Sequence, residues 1–246
     1  MSEYSLTING LDITANYPDC DVQNVYLPLL RKLTDLQKKK NERLIVFLAA
    51  PPGSGKSTLG LFLENLSKKD DSLTDVQVLG IDGFHRYGKD LQHIPYGDNL
   101  TLKDMKGIPE SFDIDSLYDK IIALKSEDVF WPLYDRRIHD PLPDAIHVDS
   151  DIVLIEGNYL LYSKGKWSQL RDHCDYSIFM NISYDTLTER LISRKVKGGS
   201  SQKAAEDHFH LVDGPNIKTV LENRLPCDME IIYNENNEIT EVREDV

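Results

Sequence analysis

Cysteine is scarce: the 246 residues hold three, and Cys20, Cys174 and Cys227 are odd in number and too far apart for a disulfide framework or a metal-type pair. We give none of them a catalytic role and expect a reducing, cytoplasmic setting. Positive charge is also in short supply, with 28 Lys and Arg against 41 Asp and Glu and a formal net charge of −13. Binding a polyanion requires clustered cations, so this balance argues against nucleic acid as a partner. No apolar run approaches the length that spans a bilayer, and Met1-Ser2-Glu3-Tyr4 lacks the basic-then-apolar layout of a secretion signal. No membrane partner is expected, and no repeat or low-complexity tract is visible. The length suits one large α/β domain, or a domain with a small appendage.

What is present concentrates in one segment. Leu44 to Ala49 is an apolar run, Ala50-Pro51-Pro52-Gly53-Ser54-Gly55 reads as a loop, and Lys56-Ser57-Thr58-Leu59 opens a helical pattern. A loop so placed turns its backbone N–H groups inward around a phosphate and adds the positive end of the following helix. Lys56 reaches over the terminal phosphates and the Ser57 hydroxyl is offered to Mg²⁺. Pro52, Gly53, Ser54, Gly55, Lys56, Ser57 and Thr58 are therefore expected to hold a nucleoside triphosphate, with ATP and Mg²⁺ as cofactors. One position departs from the usual pattern: Ala50 stands where a glycine opens the motif. Alanine is the smallest replacement, and Gly53 and Gly55 remain where the chain bends most tightly.

Five apolar runs, 44–49, 76–81, 152–155, 176–182 and 229–233, are separated by helix-length crossovers. This pattern predicts a parallel sheet of about five strands with helices on both faces, whose ligands lie at the carboxyl ends of the strands. Residues 1–40 read as a hairpin turning at Asn9-Gly10 followed by a helix ending in Lys38-Lys39-Lys40, packed on the core. Residues 41–234 form the main domain, with an insert over about 84–148 containing a short helix at 115–125. The acidic stretch 235–246 is expected to fray.

Phosphoryl transfer to an alcohol needs a cradle, a metal anchor, cations for the developing charge and a carboxylate to accept the acceptor's proton. Asp82 directly follows the second strand and is favoured as the base over a plain Asp-Gly turn. Glu156 ends the third strand, suited either to Mg²⁺ or to pairing with Lys56. Arg190 and Arg194 lie one helical turn apart, before Gly198-Gly199-Ser200-Ser201. They are read as an arginine-bearing lid over about 190–206, in preference to the basic end of an ordinary amphipathic helix. The proline-bounded loop from Trp131 to Pro141 packs aromatic, cationic and imidazole groups closely enough to suggest a substrate pocket. No histidine pair has the context of a metal site.

Taken together, these segments resemble the P-loop kinase family of uridine kinase, phosphoribulokinase and bacterial pantothenate kinase. The carriers are Ala50 to Thr58, Asp82-Gly83-Phe84-His85, Pro132-Leu133-Tyr134-Asp135 with His139, Glu156-Gly157-Asn158-Tyr159, and Arg190 to Arg194. Tyr-Asp-Arg-Arg-Ile-His-Asp-Pro and Asp213-Gly214-Pro215-Asn216 are most similar to a nucleoside- or nucleotide-kinase-like subgroup that includes the so-called fructose transport system kinases. The resemblance spans roughly residues 25–233 and is specific for the superfamily, not for a substrate. It implies Asp82 as base, Lys56, Arg190 and Arg194 as catalytic cations, and Ser57 and Glu156 at the metal. It further implies Asp82, His85, Tyr134, Arg136, His139 and Asn158 at the acceptor, and Asn216 near the adenine. The expected activity is γ-phosphate transfer from ATP to a hydroxyl of a small metabolite, a sugar or sugar-like compound first. A nucleoside or pantothenate-type kinase, and a regulatory protein switched by ATP occupancy, are the alternatives. A homodimer is left open.

Overall fold

The computed structural model describes the backbone of residues 2–8 and 11–246, with side chains from Thr14 onward. β1 (Ser2–Ile8) and β2 (Leu11–Tyr17) pair antiparallel, Ile8 opposite Leu11, and the Asn9-Gly10 turn expected between them lies outside the described residues. A short helical lead-in runs into α1 (Leu27–Lys40), closed by Asn41 in the left-handed conformation at φ 56°. Then follow β3 (Leu44–Ala49), α2 (Lys56–Ser67), β4 (Val76–Gly80), α3 (Ile114–Ala123), β5 (Val129–Asp135), β6 (Asp140–Val148) and β7 (Ile152–Gly157). β8 (Tyr176–Ile182), α4 (Tyr184–Lys197), α5 (Gln202–His208), α6 (Gly214–Glu222), β9 (Met229–Tyr233) and β10 (Ile239–Glu244) complete the chain.

The central sheet has the order β10-β9-β8-β3-β7-β4, parallel throughout except for β10. β3 is buried along its whole length because both faces are covered, as the apolar run requires. Leu44, Val46 and Leu48 face a core shared with α1, α2 and α4; Ile45, Phe47 and Ala49 face one shared with α3, Trp131, Tyr159 and Trp167. The expected α/β class, with five parallel strands covered on both sides, is the observed one. Tyr17 stacks on Phe62 of α2, ring centroids 4.0 Å apart, and the Tyr26 and Tyr233 hydroxyls are 3.1 Å apart, which seats the N-terminal segment beside β9. Among the described residues no helix is long and apolar enough to cross a membrane.

Two expectations are corrected. The stretch after Asn234 does not fray but folds back as β10, antiparallel to β9 with Glu244 opposite Met229. The Asn234 side-chain oxygen accepts from the Asn236 and Glu238 amides, both at 3.0 Å, and Asn237 takes φ 65°, so a tight turn forms. The polar composition is that of an exposed edge strand. The segment Trp131 to Pro141 is not a loop either, since β5 and β6 form an antiparallel hairpin. Its register shifts between Trp131 and Leu133, which lets Pro132 sit in a strand without owing a ladder hydrogen bond.

Candidate active site

The loop between β3 and α2 has the shape its sequence predicts. Gly53 and Gly55 have φ of 80° and 87°, the left-handed region that favours glycine. An added Cβ at Gly53 would also fall 2.9 Å from Cγ of Leu191 on α4, so the helix is seated directly on the loop. Ala50 is fully buried in the same core as Leu48 and Leu59, where its methyl group fills space that glycine would leave. The departure at the head of the motif is thus a packing choice.

β7 and β4 end beside this loop and deliver the two carboxylates. The Ser57 hydroxyl donates to Oε1 of Glu156 at 2.6 Å. Burial pushes the Glu156 carboxyl above its ordinary value, opposed chiefly by the Lys56 ammonium; the Asp82 carboxylate pushes the same way as burial. Asp82 lies in the one-turn 3₁₀ segment Ile81–Phe84 after β4. The glycine after it answers to a close approach: a Cβ on Gly83 would meet the Pro132 carbonyl oxygen at 2.2 Å. The β5–β6 hairpin lies directly across the Asp82 turn and is pinned there by Trp131, whose indole N–H donates to the Gly80 carbonyl at 2.9 Å.

A cleft of about 360 Å³ opens where these parts meet, lined among others by Gly53, Lys56, Ser57, Asp82, Arg136, Asn158 and Arg194. The Asn158 side-chain oxygen is buried without a hydrogen-bond partner. Arg194 is drawn down by desolvation while Asp213 and Asp82 favour its charge and Arg136 opposes it. A second cleft, about 630 Å³, lies across the same loop, lined by Gly53 to Gly55, Arg190, Thr14 to Pro18 and Asn236 to Glu238. Nη2 of Arg190 is buried and unpartnered, and desolvation lowers the group.

Not every expected residue enters these clefts. His85, Tyr134 and His139 line neither. The His85 ring packs on Phe112, centroids 3.8 Å apart, its Nδ1 is 2.9 Å from the Asp82 carbonyl, and burial lowers its basicity. His139, at φ 56°, contributes its carbonyl, which accepts from the Tyr134 hydroxyl at 2.9 Å and from Lys106 at 2.8 Å. The Tyr134 phenol is pushed up to about 12 by burial, with Asp140 and Asp82 adding to it. The His85 and Tyr134 rings lie 5.5 Å apart, and His139 joins them only through its carbonyl bond to the Tyr134 hydroxyl. Asn216 is buried with its amide near Gly107 and lines neither cleft; it follows a π turn at Phe209–Asp213. Lys106 and the two walls of the larger cleft were not singled out from the sequence, and Asp140 entered only as part of the Tyr134 to Pro141 segment, with no role of its own.

A phosphate loop at the carboxyl edge of a parallel sheet, with a serine–carboxylate pair and arginines converging on it, defines a P-loop kinase. Similarity to known proteins narrows that class. The chain belongs to the phosphoribulokinase / uridine kinase family, whose sequence model matches residues 45–219. It is 44% identical over 219 residues to YggC of Escherichia coli (strain K12), itself described as uncharacterized, covering 89% of this chain and 90% of that one. It is 30% identical over 203 residues to a pantothenate kinase of Psychromonas ingrahamii, covering 72% of this chain and 61% of that one. The crystal structure of a "putative fructose transport system kinase" from Silicibacter sp. TM1040 superposes with a TM-score of 0.75 at 31% identity, over 84% of this chain and 98% of that one. The family implies ATP-dependent phosphorylation.

Proposed function

We propose that this protein transfers the γ-phosphate of ATP, with Mg²⁺, to a hydroxyl group of a small sugar-like metabolite. The observation that carries the reading is the meeting of Lys56, Ser57, Asp82 and Arg194 around one cleft. The loop amides and Lys56 hold the terminal phosphates. Ser57 and Glu156 offer two oxygens already 2.6 Å apart, a hard donor set that fits Mg²⁺, and they would hold it. When bound, the ion neutralises charge on the phosphates. Asp82 accepts the acceptor's proton as its oxygen bonds to the γ-phosphorus and the bond to the β-phosphate oxygen breaks, releasing ADP. Arg194 meets the transferred phosphoryl group, and the unpartnered Arg190 guanidinium meets the nucleotide phosphates from the other side. The larger cleft is assigned to the nucleoside, between Asn16 and Asn236. A sugar-like acceptor is supported by the name of the Silicibacter relative.

The test is ADP release from Mg·ATP with a panel of sugars, sugar derivatives, nucleosides, pantothenate and glycerate. Acceptor-dependent release is expected, falling about a hundredfold or more in Asp82→Asn and vanishing in Lys56→Ala. Release no faster than the water background with every acceptor, or indifference to Asp82→Asn, overturns the reading; the latter is what a switch that only binds ATP would give.

A further inference from the structure

Three cations surround the turn of the β5–β6 hairpin, and their bonding differs sharply. Arg137 is committed to Asp135: its Nε lies 3.1 and 3.2 Å from the two carboxylate oxygens and its Nη2 2.6 Å from Oδ2. Lys106 is committed too, donating to the His139 carbonyl, lying 3.5 Å from Oδ1 of Asp140 and 4.9 Å over the Tyr134 ring. Arg136 alone of the three lines the cleft with Asp82, and among the described residues it makes no hydrogen bond or ion pair. Its charge is nevertheless felt there, favouring the ionised forms of Glu156 and Tyr134 and opposing that of Arg194.

A guanidinium held beside another guanidinium lacks an anion. The nucleotide does not supply it on the reading above, because its phosphates are met by the loop amides, Lys56, Arg190 and Arg194. Arg136 is delivered instead by the hairpin, on the side where Asp82 awaits the acceptor. Its planar fork suits a carboxylate or a phosphate, each of which accepts two parallel hydrogen bonds. A neutral sugar or a nucleoside would leave it unmatched. The cleft has a volume of about 360 Å³, near the lower end of ligand pockets, and on the kinase reading the terminal phosphates share it, so the room left for the acceptor is small.

We infer that the acceptor is a small polyhydroxylated compound bearing an anionic group, a carboxylate or a phosphate ester, bound by Arg136 while one hydroxyl faces Asp82. The inference rests on the kinase reading and narrows it. Sugar acids and sugar phosphates share this chemistry, and the experiment separates them.

ADP release from Mg·ATP is measured for the wild type, Arg136→Gln and Arg136→Lys with three matched sets: neutral sugars and polyols, the corresponding sugar acids, and their monophosphates. Binding of the same compounds to the full chain loaded with Mg²⁺ and a non-hydrolysable ATP analogue is followed by calorimetry. One anionic set should be preferred over its neutral counterparts by about tenfold or more, and Arg136→Gln should raise the acceptor KM by a similar factor with little change in the KM for ATP. Arg136→Lys should recover part of the loss, and added salt should weaken acceptor binding. Equal or better use of neutral acceptors, or an acceptor KM unmoved in Arg136→Gln, overturns the inference and leaves the kinase intact; Arg136 is then a solvated side chain. If no compound is turned over, an absence of anion preference in the calorimetry overturns it equally. Failure to bind the ATP analogue at all marks the failure of the kinase reading.

Discussion

Gly83→Ala tests the claim that the hairpin and the Asp82 turn are locked together. An ideal Cβ at residue 83 lies 2.2 Å from the Pro132 carbonyl oxygen, 2.5 Å from its carbon and 3.0 Å from the Leu133 nitrogen. The first contact is about 1 Å short of van der Waals separation. All three atoms are backbone, and the strand cannot slide without breaking the Trp131 hydrogen bond to Gly80. The cost therefore belongs at the top of the overpacking range, about 3 kcal/mol. In a chain of this size that lowers Tm by roughly 6–12 °C. If the hairpin yields instead, Arg136 and Asp82 separate by about 1 Å, a displacement that costs about a hundredfold in rate. Urea unfolding followed by circular dichroism, with ADP release using the best acceptor, measures both. Gly198→Ala is the control: residue 198 has φ −78° and its added Cβ meets backbone oxygens at an ordinary 3.4 Å, so its change should stay within about 1 kcal/mol. A Gly83→Ala protein with unchanged midpoint and unchanged turnover would refute the locking argument.

Three further outcomes are expected. Because burial raises the Glu156 carboxyl above its ordinary 4.5, its protonation favours the nucleotide-free fold; that stabilisation is full below 4.5 and is lost as pH rises through the folded-state value. Glu156→Gln should therefore gain stability relative to wild type as pH increases, while Mg²⁺-dependent ATP binding falls; parallel pH profiles of the two proteins would contradict this. Arg190→Ala removes a buried, unpartnered guanidinium nitrogen, so thermal melting without nucleotide should show no loss of stability, whereas ATP turnover drops about tenfold or more; a lower Tm with normal turnover would reverse the assignment. Truncation after Asn234 should expose the β9 edge, strip the buried Glu230 of its contact with Arg243, and yield a protein that unfolds earlier and self-associates in light scattering; an unchanged monomer would show β10 to be dispensable.

The strands were legible because parallel strands buried on both faces are written as unbroken apolar runs, and the carboxylates because Asp82 and Glu156 directly follow two of them. The hairpin was hidden by Pro132, Pro141 and Pro143, which suppress strand propensity and are tolerated only through a register shift and exposed edges. β10 was hidden by its charge, which suits an edge and reads as a solvated end. Lys106 became visible only through tertiary contact with the hairpin. The π turn at Phe209–Asp213, just ahead of Asn216, is likewise signalled by no composition. The larger cleft brings Thr14 to Pro18 against Asn236 to Glu238, more than two hundred positions apart in the chain, and no local pattern announces such a meeting.

The seating of Leu191 on Gly53 makes α4 a balance beam with the phosphate loop as its fulcrum. Arg190 and Arg194 sit about 6 Å apart along the axis and reach opposite sides of that support. Being carried by one helix, their backbones cannot shift independently: a tilt that lowers one end raises the other, so on the kinase reading the two guanidinium groups would reach one chain of phosphates together only from a level beam.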